Sequence, residues 1–221
     1  LGVEGVLSAF FYTGRPFYWA KRGVGELLVG LNFGPLMALG AYYVQTGAFS
    51  WAPVVAAVPI GLLIAAVLFI NEFPDYEADK AVGKRTWVVR LGLRRAVLPF
   101  AVVMAVANLT VIAGIALDYL PVAAVLALVA LPASVMAIRY AAAHYSRSFD
   151  LAPANALTIT GHLAVGLALT WAFAWQGVGR EGLGVVVVLG VAFLALVAYL
   201  YWNVEHQKHI FHGLKGVVGG K

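Results

Sequence analysis

Six stretches of this sequence, roughly 24–45, 52–70, 96–117, 120–141, 154–174 and 183–203, are long and nearly free of charge. Each comes close to the roughly 17–25 residues that a helix needs to cross the hydrocarbon core of a bilayer. No water reaches unpaired backbone groups there, so helix is the conformation these stretches must adopt. Gly34, Pro35, Pro59 and Gly166 inside them are tolerated where neighbouring helices shield the backbone. The expectation is an all-α integral membrane protein, with 1–221 forming one transmembrane bundle of about six helices. Gly30 and Gly34, four apart, either let a partner helix approach closely or are a coincidence in a chain with 24 glycines.

The chain is 62% hydrophobic and 11% charged, against about 45–50% and about 25% in soluble domains. It has no cysteine, which excludes a disulfide framework and a thiolate metal site. The net charge of +5 points away from nucleic acid, because the basic residues lie in the connections between apolar runs. With six spans, the connections 12–23 and 71–95, the connection 142–153 and the tail from 204 share one face. Thirteen of the fifteen lysines and arginines fall there, Arg139 lies at its edge, and only Arg180 lies opposite. The positive-inside rule puts that face, with both ends of the chain and loop 71–95, in the cytoplasm.

The first residues, "LGVEGVLSAFFYTGRP", carry no initiator methionine and no signal-peptide pattern. The apolar piece before Tyr12 is too short to span. It reads as the tail of a longer helix, in a chain shortened at its N-terminus.

Charge concentrates in "NEFPDYEADKAVGKRT", 71–86. Four of the ten acidic residues (Glu72, Asp75, Glu77 and Asp79) fall within eight positions, followed by Lys80, Lys84 and Arg85. If the segment is helical, Glu72, Asp75 and Asp79 share a face and Glu77 does not. Pro74 suits the first turn of that helix and Gly83 its end. Like charges so placed repel, and a bound ligand would compensate. Carboxylates without His or Cys favour a hard cation, Mg²⁺ before Zn²⁺. Lys84 and Arg85 could hold remaining phosphate charge, so the ligand class is a diphosphate with an apolar tail. The alternative is a solvated loop whose charges neutralise each other and set topology.

The longer stretch "NEFPDYEADKAVGKRTWVVRLG", 71–92, closely resembles the second aspartate-rich motif of the UbiA superfamily of intramembrane prenyltransferases. It is most similar to the branch that prenylates 1,4-dihydroxy-2-naphthoate in menaquinone synthesis. "YTGRPFYWAKRGVGELLVGLNFGPLMALGAYYVQTG", 12–47, is similar to the preceding stretch in that branch, with Arg15 where relatives commonly have glycine. The resemblance covers about 1–95. It implies a Mg²⁺-dependent enzyme that moves a polyprenyl group from its diphosphate to an aromatic acceptor. Asp75 and Asp79 would bind the metal, and Lys84 and Arg85 would contact the leaving diphosphate. Asn71, Glu72, Tyr12 and Arg15 would line the substrate site.

The family carries a second, earlier aspartate-rich motif that this sequence does not contain. Its other aspartates are Asp118, on the far face, and Asp150. The span 183–203 is one more than the family pattern places after the motif. A second reading follows: a shortened, inactive homologue serving as a structural or lipid-, pigment- or quinone-binding subunit, with protein partners in a membrane complex. A transporter is disfavoured, since the spans hold almost no buried charge.

Remaining polar residues in or beside the spans carry two readings each. His162 is either functional or a neutral histidine hydrogen-bonded inside the bundle. Glu26 either joins the charged loop or only favours a helix start. Asn32 and Asn155 read as contacts between helices. Trp19, Trp51, Trp87, Trp175 and Trp202 fall near span ends, as an aromatic belt requires. His206, His209 and His212 either present imidazoles to a metal or belong to a cationic interfacial tail.

Overall fold

The computed structural model describes residues 1–178 and 182–218, and beyond residue 200 only the side chains of Trp202, Asn203 and His206. Helix α1 (Gly2–Thr13) leads through a 3₁₀ turn (Trp19–Arg22) into the first spanning unit. That unit is α2 (Gly25–Leu31), a π-helical segment (Asn32–Leu36) and α3 (Met37–Thr46). There follow α4 (Trp51–Asn71), the short α5 (Tyr76–Ala81) and α6 (Trp87–Leu91), and α7 (Leu93–Ala116). A 3₁₀ run (Val122–Ala130) continues into α8 (Leu131–His144), a 3₁₀ turn (Ser148–Leu151) into α9 (Ala152–Gly177), and α10 (Leu183–Val218) closes the order. No strand occurs among the described residues.

Six helical units are long and apolar enough to cross a membrane: Gly25–Thr46, Trp51–Asn71, Leu93–Ala116, Val122–His144, Ser148–Gly177 and Leu183–Leu200. They correspond one for one to the apolar runs. Local chemistry sets their ends. The Ser50 hydroxyl accepts from the Ala52 N–H at 3.3 Å and starts α4. Gly47, at φ 67°, stops α3. Gly92, at φ 78°, separates α6 from α7.

Interior packing relies on small residues, which let helices approach closely where lipid supplies no hydrophobic drive. Ala124, Ala127, Ala130, Ala133, Ala137 and Ala141 are fully buried along one stripe, and α9 packs against both halves of that unit. Phe100, Met104, Leu63 and Ile70 fill the space between α4 and α7. The Asn108 amide donates to the Ser134 hydroxyl at 3.1 Å, one polar tie between α7 and α8.

Of the two readings of Gly30 and Gly34, close approach is the one the fold realises. A Cβ on Gly34 would lie 2.6 Å from the Gly61 Cα, and one on Gly30 would lie 2.8 Å from the Gly61 carbonyl oxygen. The first spanning unit therefore rests backbone to backbone on α4. Pro35, which has no N–H to give, sits in the π-helical segment just beyond that contact.

Candidate active site

Pro74 explains the local path of the charged loop. Its ring would collide with the carbonyl of Ile70 in a continuing helix, so α4 ends at Asn71. Residues 72–75 form a tight turn instead, with the Phe73 N–H on the Ile70 carbonyl at 3.4 Å. Buried Phe73 anchors that turn from below. This corrects the expectation of a single helix. Pro74 precedes α5 rather than opening it, Asp75 is its N-cap, and Glu72 lies in the turn. Of the three carboxylates expected on one helical face, only Asp79 is inside the helix. Gly83, at φ 70°, ends the segment as expected.

The reversal at Gly83 brings Lys84 back over α5. Its Nζ donates to both oxygens of Asp79, at 3.0 and 2.9 Å. The Lys84 backbone N–H donates to the Asp79 carbonyl at 2.9 Å. Burial opposes the Lys84 charge, but the Asp79 carboxylate outweighs it and holds the ammonium above its ordinary pKa.

A second segment is stitched to this loop. The Arg85 N–H donates to the Lys21 carbonyl at 2.8 Å, and the Trp87 indole donates to the Gly23 carbonyl at 2.8 Å. Arg90 donates to the carbonyls of Arg22 and Arg85. Gly23 is at φ 67° and a Cβ there would lie 2.8 Å from the Arg85 carbonyl oxygen, so the position demands glycine on both counts.

Between the two segments lies a cavity of about 60 Å³ lined by Tyr12, Glu26, Asn71, Glu72, Asp75 and Lys84, with Ala20, Gly25 and Leu68. Glu72 is 5% exposed and shares a hydrogen bond with Glu26, 6% exposed. Burial first, and then the hydrogen bond to Glu26 and its charge, push the Glu72 carboxyl up to about 9. The pair therefore holds its proton well above the usual carboxylate range. The second Glu72 oxygen, Oε2, is buried with no protein partner. The Trp87 N–H donates to Glu26 at 3.4 Å. Burial, with the charges of Glu26 and Glu72, also raises the Tyr12 hydroxyl, against the pull of Lys84. Tyr12 lines a second, apolar cavity of about 450 Å³ as well, with Ser8, Leu28, Val29, Asn32 and Phe33. The Asn32 amide donates to the Ser8 hydroxyl there at 2.9 Å.

Five of the expected residues, Tyr12, Asn71, Glu72, Asp75 and Lys84, thus meet at one cavity. Asp79 reaches it through Lys84. Arg15 and Arg85 do not line it: both are exposed, and the Arg15 side chain donates to the Tyr18 hydroxyl at 3.0 Å. Glu26 joins the site, the more functional of its two readings. Asn155 contributes from α9, its amide donating to the Asn71 side-chain oxygen at 2.7 Å. Trp87, read as a belt residue, also clasps the two segments through its indole hydrogen bond. His162 Nδ1 is buried without the hydrogen bond expected of it. His206 stacks on Trp202, ring centroids 4.7 Å apart, while Arg180 and the side chains of His209 and His212 lie outside the described residues.

Among the described residues no three His, Asp or Glu side chains converge as a metal cage. The donor set, all hard carboxylate oxygens, fits a cation that keeps waters and takes phosphate oxygens, as Mg²⁺ does. Asp75 and Asp79 would hold it, and the Asp79 carboxylate already binds one cation, the Lys84 ammonium.

Comparison with known proteins bears on residues on both sides of this cavity. A family model described as the UbiA prenyltransferase family matches residues 1–152. A 2-carboxy-1,4-naphthoquinone phytyltransferase of Synechocystis is 30% identical over 181 residues, 81% of this chain and 58% of that protein. A 1,4-dihydroxy-2-naphthoate octaprenyltransferase of Bacillus subtilis is 30% identical over 51% of this chain and 36% of its own length. Its namesake in Escherichia coli is 38% identical over 42% and 30%. The chain spans little more than half the length of the first of these relatives and about a third of the others. No solved structure matches the chain.

Proposed function

The chain belongs to the UbiA prenyltransferase family, and from that premise we propose that it is a multi-pass membrane prenyltransferase acting on a polyprenyl diphosphate and an aromatic, quinone-precursor acceptor. The observation that carries this reading is the convergence of Tyr12, Glu26, Asn71, Glu72, Asp75 and Lys84 at one cavity beside a larger apolar one. Naphthoate and naphthoquinone prenyltransferases among its relatives support the acceptor class.

In the proposed reaction the allylic C–O bond breaks and its electron pair leaves with the diphosphate. An electron-rich ring carbon attacks the resulting cation and then sheds the proton or carboxyl group (as CO₂) that it carried, which restores the aromatic ring. Mg²⁺, held by Asp75 and Asp79, would supply positive charge to the leaving group. Lys84 adds a mobile ammonium beside the same oxygens. The exposed Arg85 guanidinium would meet the diphosphate from the rim. Tyr12, on the wall common to both cavities, separates the charged end of the substrate from the space for its apolar chain. The apolar bundle keeps water from the cation. The distribution of basic residues supports an orientation with loop 71–95 and both ends of the chain on the cytoplasmic side of the cell membrane. The whole bundle is one domain, with loop 71–95 as its active-site loop.

Membranes containing the protein, given labelled prenyl diphosphate and dihydroxynaphthoate, should form prenylated product with Mg²⁺ and none with a chelator. Asp75→Ala and Asp79→Ala should each abolish it. Product that survives both substitutions overturns the role given to Asp75 and Asp79, and no product at all overturns the enzymatic reading and favours a binding subunit.

A further inference from the structure

Lys84 and Asp79 make a complete contact before any ligand is considered. The ammonium lies 3.0 and 2.9 Å from the two carboxylate oxygens, so it covers the edge that a chelating metal would need. The Asp79 side chain is 11% exposed and that of Lys84 30%. A carboxylate so buried does not stay uncompensated without a large cost. Lys84 can therefore leave Asp79 only as another cation replaces it.

Lys84 also has somewhere to go. It lines the small cavity with Glu72 and Asp75, and its flexible stem carries three donors that suit phosphate oxygens. Its backbone does not have to move. The Lys84 N–H is fixed on Asp79 and the neighbouring Arg85 N–H on Lys21, so any exchange is a swing of the side chain alone. At about 60 Å³ the cavity has room for only a few waters. A hydrated metal with a diphosphate requires its lining side chains to rearrange.

We propose that Lys84 is the resting occupant of the Asp79 carboxylate, and that it hands the carboxylate to the metal and itself to the diphosphate in one exchange. This deepens the reading given above and rests on it. A metal arriving alone must displace Lys84 and leave it without a partner. A diphosphate arriving alone must pull Lys84 away and strip Asp79. Arriving together, each compensates the charge the other exposes, so metal and diphosphate bind cooperatively, by the same factor in either order.

The test uses the protein in detergent or nanodiscs, with Mn²⁺ as a spectroscopically visible metal and inorganic pyrophosphate as the second ligand. Wild-type protein should bind Mn²⁺ alone weakly, and pyrophosphate should strengthen that binding within the roughly 5–150-fold range of ordinary site coupling. Lys84→Gln, which removes the resident cation, should bind Mn²⁺ alone about tenfold more tightly and lose most of the pyrophosphate enhancement. Lys84→Arg, which keeps a cation on Asp79, should bind Mn²⁺ alone as weakly as wild type. Equal Mn²⁺ affinity in wild type and Lys84→Gln overturns the exchange. A measurement on the unaltered chain guards against a variant that misfolds: acetylation of Lys84, followed by mass spectrometry, should rise with Mn²⁺ alone and fall when pyrophosphate is added. Labelling indifferent to both ligands also overturns it. By contrast, Mn²⁺–pyrophosphate binding that persists in Asp75→Asn and Asp79→Asn, or is missing from wild type, overturns the diphosphate site itself.

Discussion

Glu72, in the turn after α4, and Glu26, in the first turn of α2, are both buried and meet side chain to side chain, and burial first, then their hydrogen bond, raises the Glu72 carboxyl. Glu72 ends the second span and Glu26 begins the first, so the pair also fixes how the two helices meet at this end of the bundle.

That pair makes stability depend on pH. Folding raises the Glu72 carboxyl from 4.5 to about 9. Below pH 4.5 the folded and unfolded chains both hold the proton. Between the two values only the folded chain does, so stability falls as pH rises, by at most about 1.4 kcal/mol per pH unit. Thermal melting in detergent from pH 5 to 9 should show this decline in wild type and a flatter one in Glu72→Gln. Parallel curves would rule out Glu72 as the source.

The two aspartates should separate on stability while agreeing on metal. Asp75 is exposed and caps nothing with its side chain, so Asp75→Asn should leave the melting temperature within the scatter of surface changes, about 0.5 kcal/mol. Asp79→Asn breaks the contact with Lys84 and should cost on the order of 1 kcal/mol, the partial exposure of the lysine limiting the effect. Both should lose Mn²⁺ binding. Equal destabilisation by the two would contradict the assignment of Lys84 to Asp79.

Trp87→Phe keeps the ring and removes the indole donor to Gly23. Losing one such hydrogen bond costs about 1 kcal/mol, expressed locally in the 14–24 segment. Trypsin should then cut faster after Lys21 and Arg22 while the bundle stays intact. Unchanged cleavage rates would mean that the remaining bonds to that segment suffice without Trp87.

Gly61→Ala places a methyl group against the Gly30 carbonyl and the Pro35 ring. Overpacking of that kind costs about 1–3 kcal/mol. Gly166→Ala is the control, because its added carbon would meet Ile60 at an ordinary 3.6 Å. Melting temperatures should drop for the first and hold for the second.

The spans were legible because bilayer thickness, a constraint outside the protein, sets the length of each apolar run. The cluster of candidate residues was legible because charge is scarce in such a chain and Asp75, Lys84 and Asn71 stand out. Helical spacing misplaced Glu72 because the pattern assumes an unbroken helix, and Pro74 breaks it four residues beyond the Ile70 carbonyl. For Glu26 the sequence left two readings open, a member of the charged loop or a first-turn acid. Its pairing with Glu72 is a contact between helices that no local pattern encodes. The same holds for Gly61, whose partners Gly30 and Gly34 announce a close approach but not its target, and for Trp87, whose indole is spoken for by a distant carbonyl.

The hydrogen bond from Asn155 to Asn71 bears on how this protein can be recombined with its relatives. The family match stops at residue 152, which makes the boundary of α9 look like a natural seam for splicing. Asn155 lies one turn past that seam and steadies the first residue of the charged loop. A hybrid joined at 152 would inherit the loop with a foreign residue in place of its amide support. Crossing over after the opening turns of α9 keeps donor and acceptor in the same parent.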